Sequence, residues 1–245
     1  MLADFQVITP QSGYLSKEIH RPETLRYALI DFITHELPRW RDDTRRPANT
    51  SETALTEYLC DHLNSVARMS SGWDIIQFRT EVVDERHKGR KIDLAPKPCG
   101  VTVWIGGRPY TQYEILLPIE CKILPTPNGK ATPKVNDRDE REYVINRQAT
   151  TGGIQRFKTG HHGSDHTLGA MIAYVQKDSL KLWENRIAKW ITELFESGQL
   201  GWTAKDVLHL EKNDKAQGIA VFRSSHARGN GLREIELRHL WLKMG

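Results

Sequence analysis

Two acidic residues and one lysine lie within two short apolar stretches of the chain. Residues 91–95 read Lys-Ile-Asp-Leu-Ala around Asp93, and residues 118–123 read Pro-Ile-Glu-Cys-Lys-Ile around Glu120 and Lys122. Apolar and charged residues alternate in both stretches, which predicts two β-strands. Because successive side chains alternate across a strand, Glu120 and Lys122 share the face opposite the apolar residues.

Two carboxylates on neighbouring strands can bind one hard divalent cation through their oxygen atoms. A lysine two residues from one of them would lie beside the water on that cation. We therefore expect Asp93 and Glu120 to hold Mg²⁺ or Mn²⁺ and Lys122 to orient or deprotonate the attacking water, as in metal-dependent phosphodiester hydrolysis. The alternative is a half-exposed strand with an ordinary Glu–Lys pair, since the chain has 31 acidic residues and the triplet alone is a weak signal.

This pattern resembles the PD-(D/E)xK nucleases, the restriction-endonuclease-like superfamily. The family's aspartate, glutamate and lysine correspond to Asp93, Glu120 and Lys122, while Ile92 stands where the family usually has proline. The resemblance implies catalytic roles for all three residues. It also implies an enzyme, a Mg²⁺-dependent endonuclease that hydrolyses DNA.

A helix is predicted from Glu52 to about Met69, with Ser51 as its N-cap. Glu52 lies within the apolar face of this helix, whereas Glu57 points towards solvent. An acid at the edge of an apolar face needs a partner or a metal. The resembled nucleases often carry a glutamate on the helix before the core sheet, which implies that Glu52 is a third metal ligand. The alternative is a first-turn acid that complements the helix dipole.

The remaining elements predict an α/β fold. Helices are expected from Pro22 to Pro38 and at 143–158 and 180–196; strands at 75–83, 101–105, 168–175, 207–210, 218–222 and 235–242; and a glycine-rich turn at 224–231. The apolar run 168–175 is typical of a central strand buried on both faces. We expect a restriction-endonuclease-like mixed sheet flanked by helices, with a C-terminal β-hairpin extension. The predicted single domain spans 1–245, with a core at about 50–200, a helical extension at 1–49 and C-terminal strands at 205–245.

Roughly residues 50–180 are similar to restriction-like proteins from bacterial defence loci. The similarity lies in Gly-Ile-Gln-Arg-Phe at 153–157 and Gly-x-Met-Ile-x-Tyr at 169–174. It implies a role in anti-phage defence, with Tyr143 and Arg156 facing the site. The residues expected to contact nucleic acid are Tyr143, Gln155, Arg156, Lys158, His226 and Arg228.

Two further polar clusters have competing interpretations. His161, His162 and His166 could bind zinc, but their spacing and glycines favour a mobile loop that touches phosphate. Residues 38–50 are expected to form a polar loop in which Arg39, Arg41, Arg45 and Arg46 either contact phosphate or remain solvated. Trp183 and Trp190 of the 180–196 helix are expected to be buried in the protein core.

Composition limits the class of protein. The chain is 38% hydrophobic with a net charge of +4, and it has three cysteines without CxxC spacing. We expect a cytoplasmic protein without signal peptide, transmembrane helix or disulfides. Its expected partner is DNA, with RNA left open; a homodimer or a partner subunit from the same defence system is a further expectation. The alternative function is a catalytically silent nucleic-acid-binding or scaffold subunit, because fold alone does not establish activity.

Overall fold

Seven strands form one mixed sheet in a computed structural model that describes residues 24–48, 51–84, 86, 89–126, 140–147, 152–199 and 201–245. The strands are β1 (Ile76–Val83), β2 (Lys91–Pro98), β3 (Val103–Ile105), β4 (Arg108–Tyr110), β5 (Ile119–Leu124), β6 (Leu168–Val175), β7 (His209–Asp214), β8 (Ile219–His226) and β9 (Ile235–Lys243). The helices are α1 (Thr24–Asp42), α2 (Glu52–Met69), α3 (Gly153–Lys158) and α4 (Leu180–Glu196), with a 3₁₀ turn at Ala204–Asp206. No described helix has the length and apolar character needed to cross a membrane.

The sheet order is β1-β2-β5-β6-β9-β8-β7, with β3 and β4 in a separate hairpin. The central strands β5, β6 and β9 are parallel, and the strands on both sides pair antiparallel. Every residue of β5 and β6 is buried. For β6 this confirms the strand covered on both faces that its apolar run predicts, whereas in β5 the charged residues Glu120 and Lys122 are buried as well. The mixed α/β sheet flanked by helices is thus confirmed.

Two core layers cover the two faces of the sheet. Helices α1 and α2 pack on one face, and α3 and α4 on the other. The first layer includes Leu29, Leu59, Cys121 and Tyr174, and the second includes Phe157, Ile187, Met171 and Trp241. Consecutive residues of β6 thus belong to opposite layers, because successive side chains of a strand point to opposite faces of the sheet.

Helix α2 begins and ends where the sequence predicts. The Ser51 hydroxyl accepts a hydrogen bond from the amide of Ala54 at 3.3 Å, so the N-cap is confirmed. Helix α4 is also confirmed, with Trp183 and Trp190 buried.

Helix α1 passes through Pro38, so the prediction that this proline ends the helix is wrong; Pro22 lies outside the described residues. Pro38 is buried with the helix's inner face, and this packing outweighs the lost backbone hydrogen bond. The four arginines have partners within the chain. Arg39 pairs with Glu36, Arg41 with Asp42, Arg45 with Asp43, and Arg46 lies over the Trp40 ring.

The helix predicted over 143–158 is only the six residues of α3. Tyr143 lies in a turn before it, and 148–151 fall outside the described residues. A Cβ at Gly152 would lie 2.3 Å from the Ile145 Cα, and one at Gly153 would lie 2.8 Å from the Tyr143 carbonyl oxygen. The two glycines therefore let the start of α3 touch the preceding turn, rather than interrupting a longer helix.

The C-terminal strands are built into the main sheet. β8 and β9 form the predicted antiparallel hairpin, and β9 also pairs in parallel with β6 over its length. β8 continues to His226, so Ser224 and His226 belong to a strand and not to the predicted turn. The predicted strand 207–210 is found as β7, shifted to His209–Asp214.

Substitution of Gly152 by alanine tests the close approach at α3. The added methyl group meets backbone, which cannot move aside as a flexible side chain can, so we expect a loss of about 3 kcal/mol in the free energy of unfolding. Gly229→Ala is the control, because a Cβ there meets nothing within 4 Å. Urea unfolding of both variants measures the difference, and equal stabilities would contradict the packing described.

A candidate active site where two strands part

Strands β2 and β5 pair at a single position, Leu94 opposite Ile119, whereas β1 and β2 pair along their length. Asp93 and Glu120 are the next two residues in this antiparallel register, so their side chains lie on the same face. Beyond this point the strands part. We call this region the fork.

At the fork, carboxylates replace the missing strand partner of β5. The amide of Cys121 donates to Asp93 Oδ2 at 2.8 Å, and the amide of Ile123 donates to Glu52 Oε2 at 3.1 Å. Buried amides need an acceptor, and both acceptors here are acidic side chains. The predicted approach of Glu52 to the two-strand site is therefore a feature of the structure.

Lys122 lies between two of these acids. Its Nζ is 2.8 Å from Glu120 Oε1 and 3.3 Å from Glu52 Oε1. Arg156 of α3 also reaches Glu120 Oε1, with its Nη1 at 2.6 Å. The Glu120 side chain is fully buried and that of Lys122 is 5% exposed, so the pair is not the solvent-facing pair of the alternative interpretation.

The pKa values follow from this crowding. Burial alone would lower the pKa of Lys122, but Glu120, Glu52 and Asp93 together raise it above its ordinary value. Burial would raise the pKa of Glu120, yet Lys122, His162 and Arg156 together hold it well below its usual range. For Asp93, burial and the neighbouring Glu120 charge outweigh Lys122 and the Cys121 amide, which raises its pKa to about 7.

A small pocket of about 40 Å³ opens beside Asp93 and Glu52. Its other lining residues are Thr53, Thr56, Glu57, Thr80 and Glu81. Glu81 has a left-handed φ of 49° and lies between Thr80 and Val82, which pair with Leu94 and Ile92 of β2. This volume is enough for about one to three water molecules.

Carboxylate oxygens are the donors that a hard divalent cation prefers. Asp93 and Glu120 supply carboxylate oxygens, and Glu120 Oε2 is buried without a hydrogen-bond partner within the described residues. Such an unpartnered oxygen is costly unless a cation or donor meets it. Within the same residues, no group of three or more His, Cys, Asp or Glu side chains surrounds one point as metal ligands do. In this arrangement Lys122 and Arg156 neutralise Glu120.

His162 is the neighbour that sequence reasoning did not assign to this site. Its Nδ1 lies 3.1 Å from Glu120 Oε2, and its side chain is 3% exposed. The residue follows α3 in a loop without periodicity, so only the His-His pair at 161–162 pointed to it. The zinc alternative gathers no support, since the three histidines form no ligand group in the described parts of the chain.

Three of the residues expected to contact nucleic acid are buried, so the structure places them inside the protein and not at its surface. Tyr143, Lys158 and His226 are 0%, 7% and 0% exposed. They belong to one hydrogen-bonded network, in which each member satisfies the next. Its contacts are Lys158 with Asp206 (2.5 Å), Asp206 with His226 (2.5 Å), His226 with Ser224 (2.6 Å), Ser224 with His239 (2.7 Å), His239 with Tyr143 (2.8 Å) and Tyr143 with Trp241 (2.8 Å).

The other three expected contacts have structural partners. The Gln155 side chain accepts hydrogen bonds from the amides of Asn146 and Gly152. Arg228 donates to the carbonyl oxygens of Gly163 and His166. Arg156 alone meets the candidate site, through Glu120.

Comparison of the chain with family models, with curated proteins and with solved structures gives no match. The chemistry of the site is therefore inferred from its residues and geometry.

The raised pKa of Asp93 predicts a pH-dependent stability. Its ordinary value is 3.8 and its folded value about 7, so the folded state binds more protons between these values. The free energy of unfolding of metal-free protein should therefore fall as pH rises from about 4 to 7, by up to ~4 kcal/mol from this group. Asp93→Asn keeps an acceptor for the Cys121 amide and should remove that fall. Urea unfolding in EDTA at several pH values measures this fall. If the free energy of unfolding depends on pH in the same way in the wild type and in Asp93→Asn, the raised pKa of Asp93 is contradicted.

Loss of Asp206 should destabilise the buried network, since it leaves the Lys158 ammonium without its carboxylate. We expect Asp206→Asn to lower the free energy of unfolding by about 3–5 kcal/mol. The double variant Asp206→Asn/Lys158→Met should lose less than the sum of the losses of the two single variants. The control is the surface pair Lys181–Glu184. Removing either of its charges should change the free energy of unfolding by no more than about 0.5 kcal/mol. Chemical unfolding of the double-mutant cycle gives the coupling, and additive losses would refute it.

Proposed function

We propose that the protein is a Mg²⁺- or Mn²⁺-dependent nuclease of the PD-(D/E)xK type that hydrolyses phosphodiester bonds in DNA. The observation that carries the proposal is the fork itself. Asp93, Glu120 and Lys122 meet on one face of the sheet, and Glu52 joins them from α2. Two like-charged carboxylates opposite each other are unfavourable for folding, and such costly groups with shifted pKa values concentrate at functional sites.

The charges at the fork suit a dication. Glu120 and Glu52 are balanced by Lys122 and Arg156. With Asp93 protonated this set is neutral, and loss of the Asp93 proton leaves one net negative charge. Deprotonated Asp93 and Glu120 would hold the cation, which would polarise the scissile phosphate and lower the pKa of Lys122.

Lys122 would then act on the attacking water. Glu52 and Glu120 fix the position of its Nζ, which limits the number of directions in which the amine can point. A fixed base can take or orient a proton with little loss of entropy. Arg156 keeps Glu120 ionised when Lys122 becomes neutral.

One observation favours a second candidate, a catalytically silent binding or scaffold module. Asp93 and Glu52 each accept a backbone amide of β5, so both acids have a structural use without any chemistry. In such a module, Mg²⁺ or Mn²⁺ would leave the melting temperature unchanged. The remaining proposals rest on the family resemblance. They are DNA rather than RNA as the substrate, a role in anti-phage defence, a cytoplasmic location, and a homodimer or a partner subunit.

Plasmid cleavage with Mg²⁺ or Mn²⁺ tests the nuclease. We expect EDTA to abolish nicking, and Asp93→Asn, Glu120→Gln and Lys122→Met each to reduce its rate by at least about 100-fold. These changes preserve side-chain size, and Asp93→Asn preserves the acceptor for Cys121. Lys91→Met is the control, because Lys91 is an exposed lysine paired with Glu81.

Wild-type cleavage by Lys122→Met would refute the role of that lysine. Absence of cleavage by the wild type, together with a melting temperature that Mg²⁺ and Mn²⁺ do not change, would favour the silent module. Melting curves of the variants confirm that each one folds.

A further inference from the structure

Two buried atoms lie close to each other beside the fork. His162 Nδ1 and Glu120 Oε2 lie 3.1 Å apart, and neither has a hydrogen-bond partner within the described residues. The distance is within the range of a hydrogen bond, yet the contact does not meet the geometry of one. A buried imidazole and a buried carboxylate oxygen left in this way are unfavourable unless something else meets them.

A shared cation explains this arrangement. Donors at right angles on one octahedral ion, each about 2.1 Å from it, lie about 3.0 Å apart and point at the ion rather than at each other. Glu120 Oε1 is already used by Lys122 and Arg156. The second oxygen is therefore the one left for a cation.

We propose that His162 is a metal ligand beside Glu120, so that the site takes Mn²⁺ and later transition-metal ions more tightly than Mg²⁺. This proposal rests on the metal site of the proposed function and specifies its ligands and its metal. Imidazole nitrogen binds transition metals more readily than Mg²⁺, which favours oxygen donors and water. Asp93 and water supply the remaining oxygen donors.

The loop that carries His162 is held in place. The Gly163 amide donates to Asp84 Oδ2 at 3.3 Å, and Arg228 donates to the Gly163 carbonyl oxygen at 2.9 Å. Gly163 has a φ of 61°, and a Cβ there would lie 2.9 Å from Pro118 Cγ. The Phe157 ring meets the imidazole edge-on at 6.0 Å. These contacts position the imidazole as a metal ligand requires.

The experiment is pulsed electron paramagnetic resonance of Mn²⁺ bound to the full chain. Nitrogen coordinated to Mn²⁺ modulates the electron spin echo, and labelling histidine with ¹⁵N changes the modulation frequency. We expect a histidine nitrogen signal in the wild type that is lost in His162→Gln, with an Mn²⁺ affinity at least about 10-fold weaker. His161→Gln is the matched control from the same loop and should keep both the signal and the affinity.

The wild-type measurement decides the proposal even if His162→Gln fails to fold. Absence of Mn²⁺ binding at millimolar concentration, bound Mn²⁺ without a histidine nitrogen signal, or a signal that persists in folded His162→Gln would each overturn it. Metal-dependent cleavage without the nitrogen signal would leave the nuclease standing and remove the His162 ligand. The nitrogen signal without cleavage would support the ligand and count against the nuclease.

Discussion

The parting of β2 from β5 is the constraint on which the candidate site depends. β5 lies in the buried centre of the sheet, and its amides at Cys121 and Ile123 face a strand that has turned away. An unsatisfied buried amide costs about 1–3 kcal/mol, so acceptors must come from side chains. Asp93 and Glu52 provide them, and Lys122 pairs with the carboxylates of Glu52 and Glu120. Strand geometry and charge are therefore coupled, because the groups that complete the sheet are also those that would perform chemistry.

Local patterns allowed prediction of much of the fold and of this acid–lysine set. The Ser51 cap, the alternation in β2 and β5 and the apolar run of β6 each specify their own element, and alternation alone brings Glu120 and Lys122 to one face. The rest depends on distant partners. Nothing near Pro38 in sequence shows that packing keeps α1 continuous, and nothing near Tyr143 shows that His239 and Trp241 will bury it. The contact of His162 with Glu120 was likewise not predicted, since the two residues are far apart in the chain.

The two buried polar clusters of the molecule differ in a way that separates stability from function. In the network from Lys158 to Trp241, Asp206, His226 and Ser224 follow one another at hydrogen-bond distance, an order that resembles a catalytic relay. Ser224 is 1% exposed, however, and each of these groups has a hydrogen-bonded partner. A fully satisfied network rigidifies a core. The fork instead keeps opposed carboxylates and unpartnered buried atoms, which are unfavourable for folding and available to a ligand.

The position of β9 inside the sheet affects the timing of folding during synthesis. β6 ends at Val175, but its second neighbour is formed by Ile235–Lys243. At about 5–20 residues per second, a ribosome needs several seconds to make the intervening chain. For that interval β6, whose residues are all buried in the finished fold, has one edge without a partner. An exposed apolar edge strand pairs readily with other chains, so the chain is most prone to wrong pairing during the interval before β9 closes the sheet.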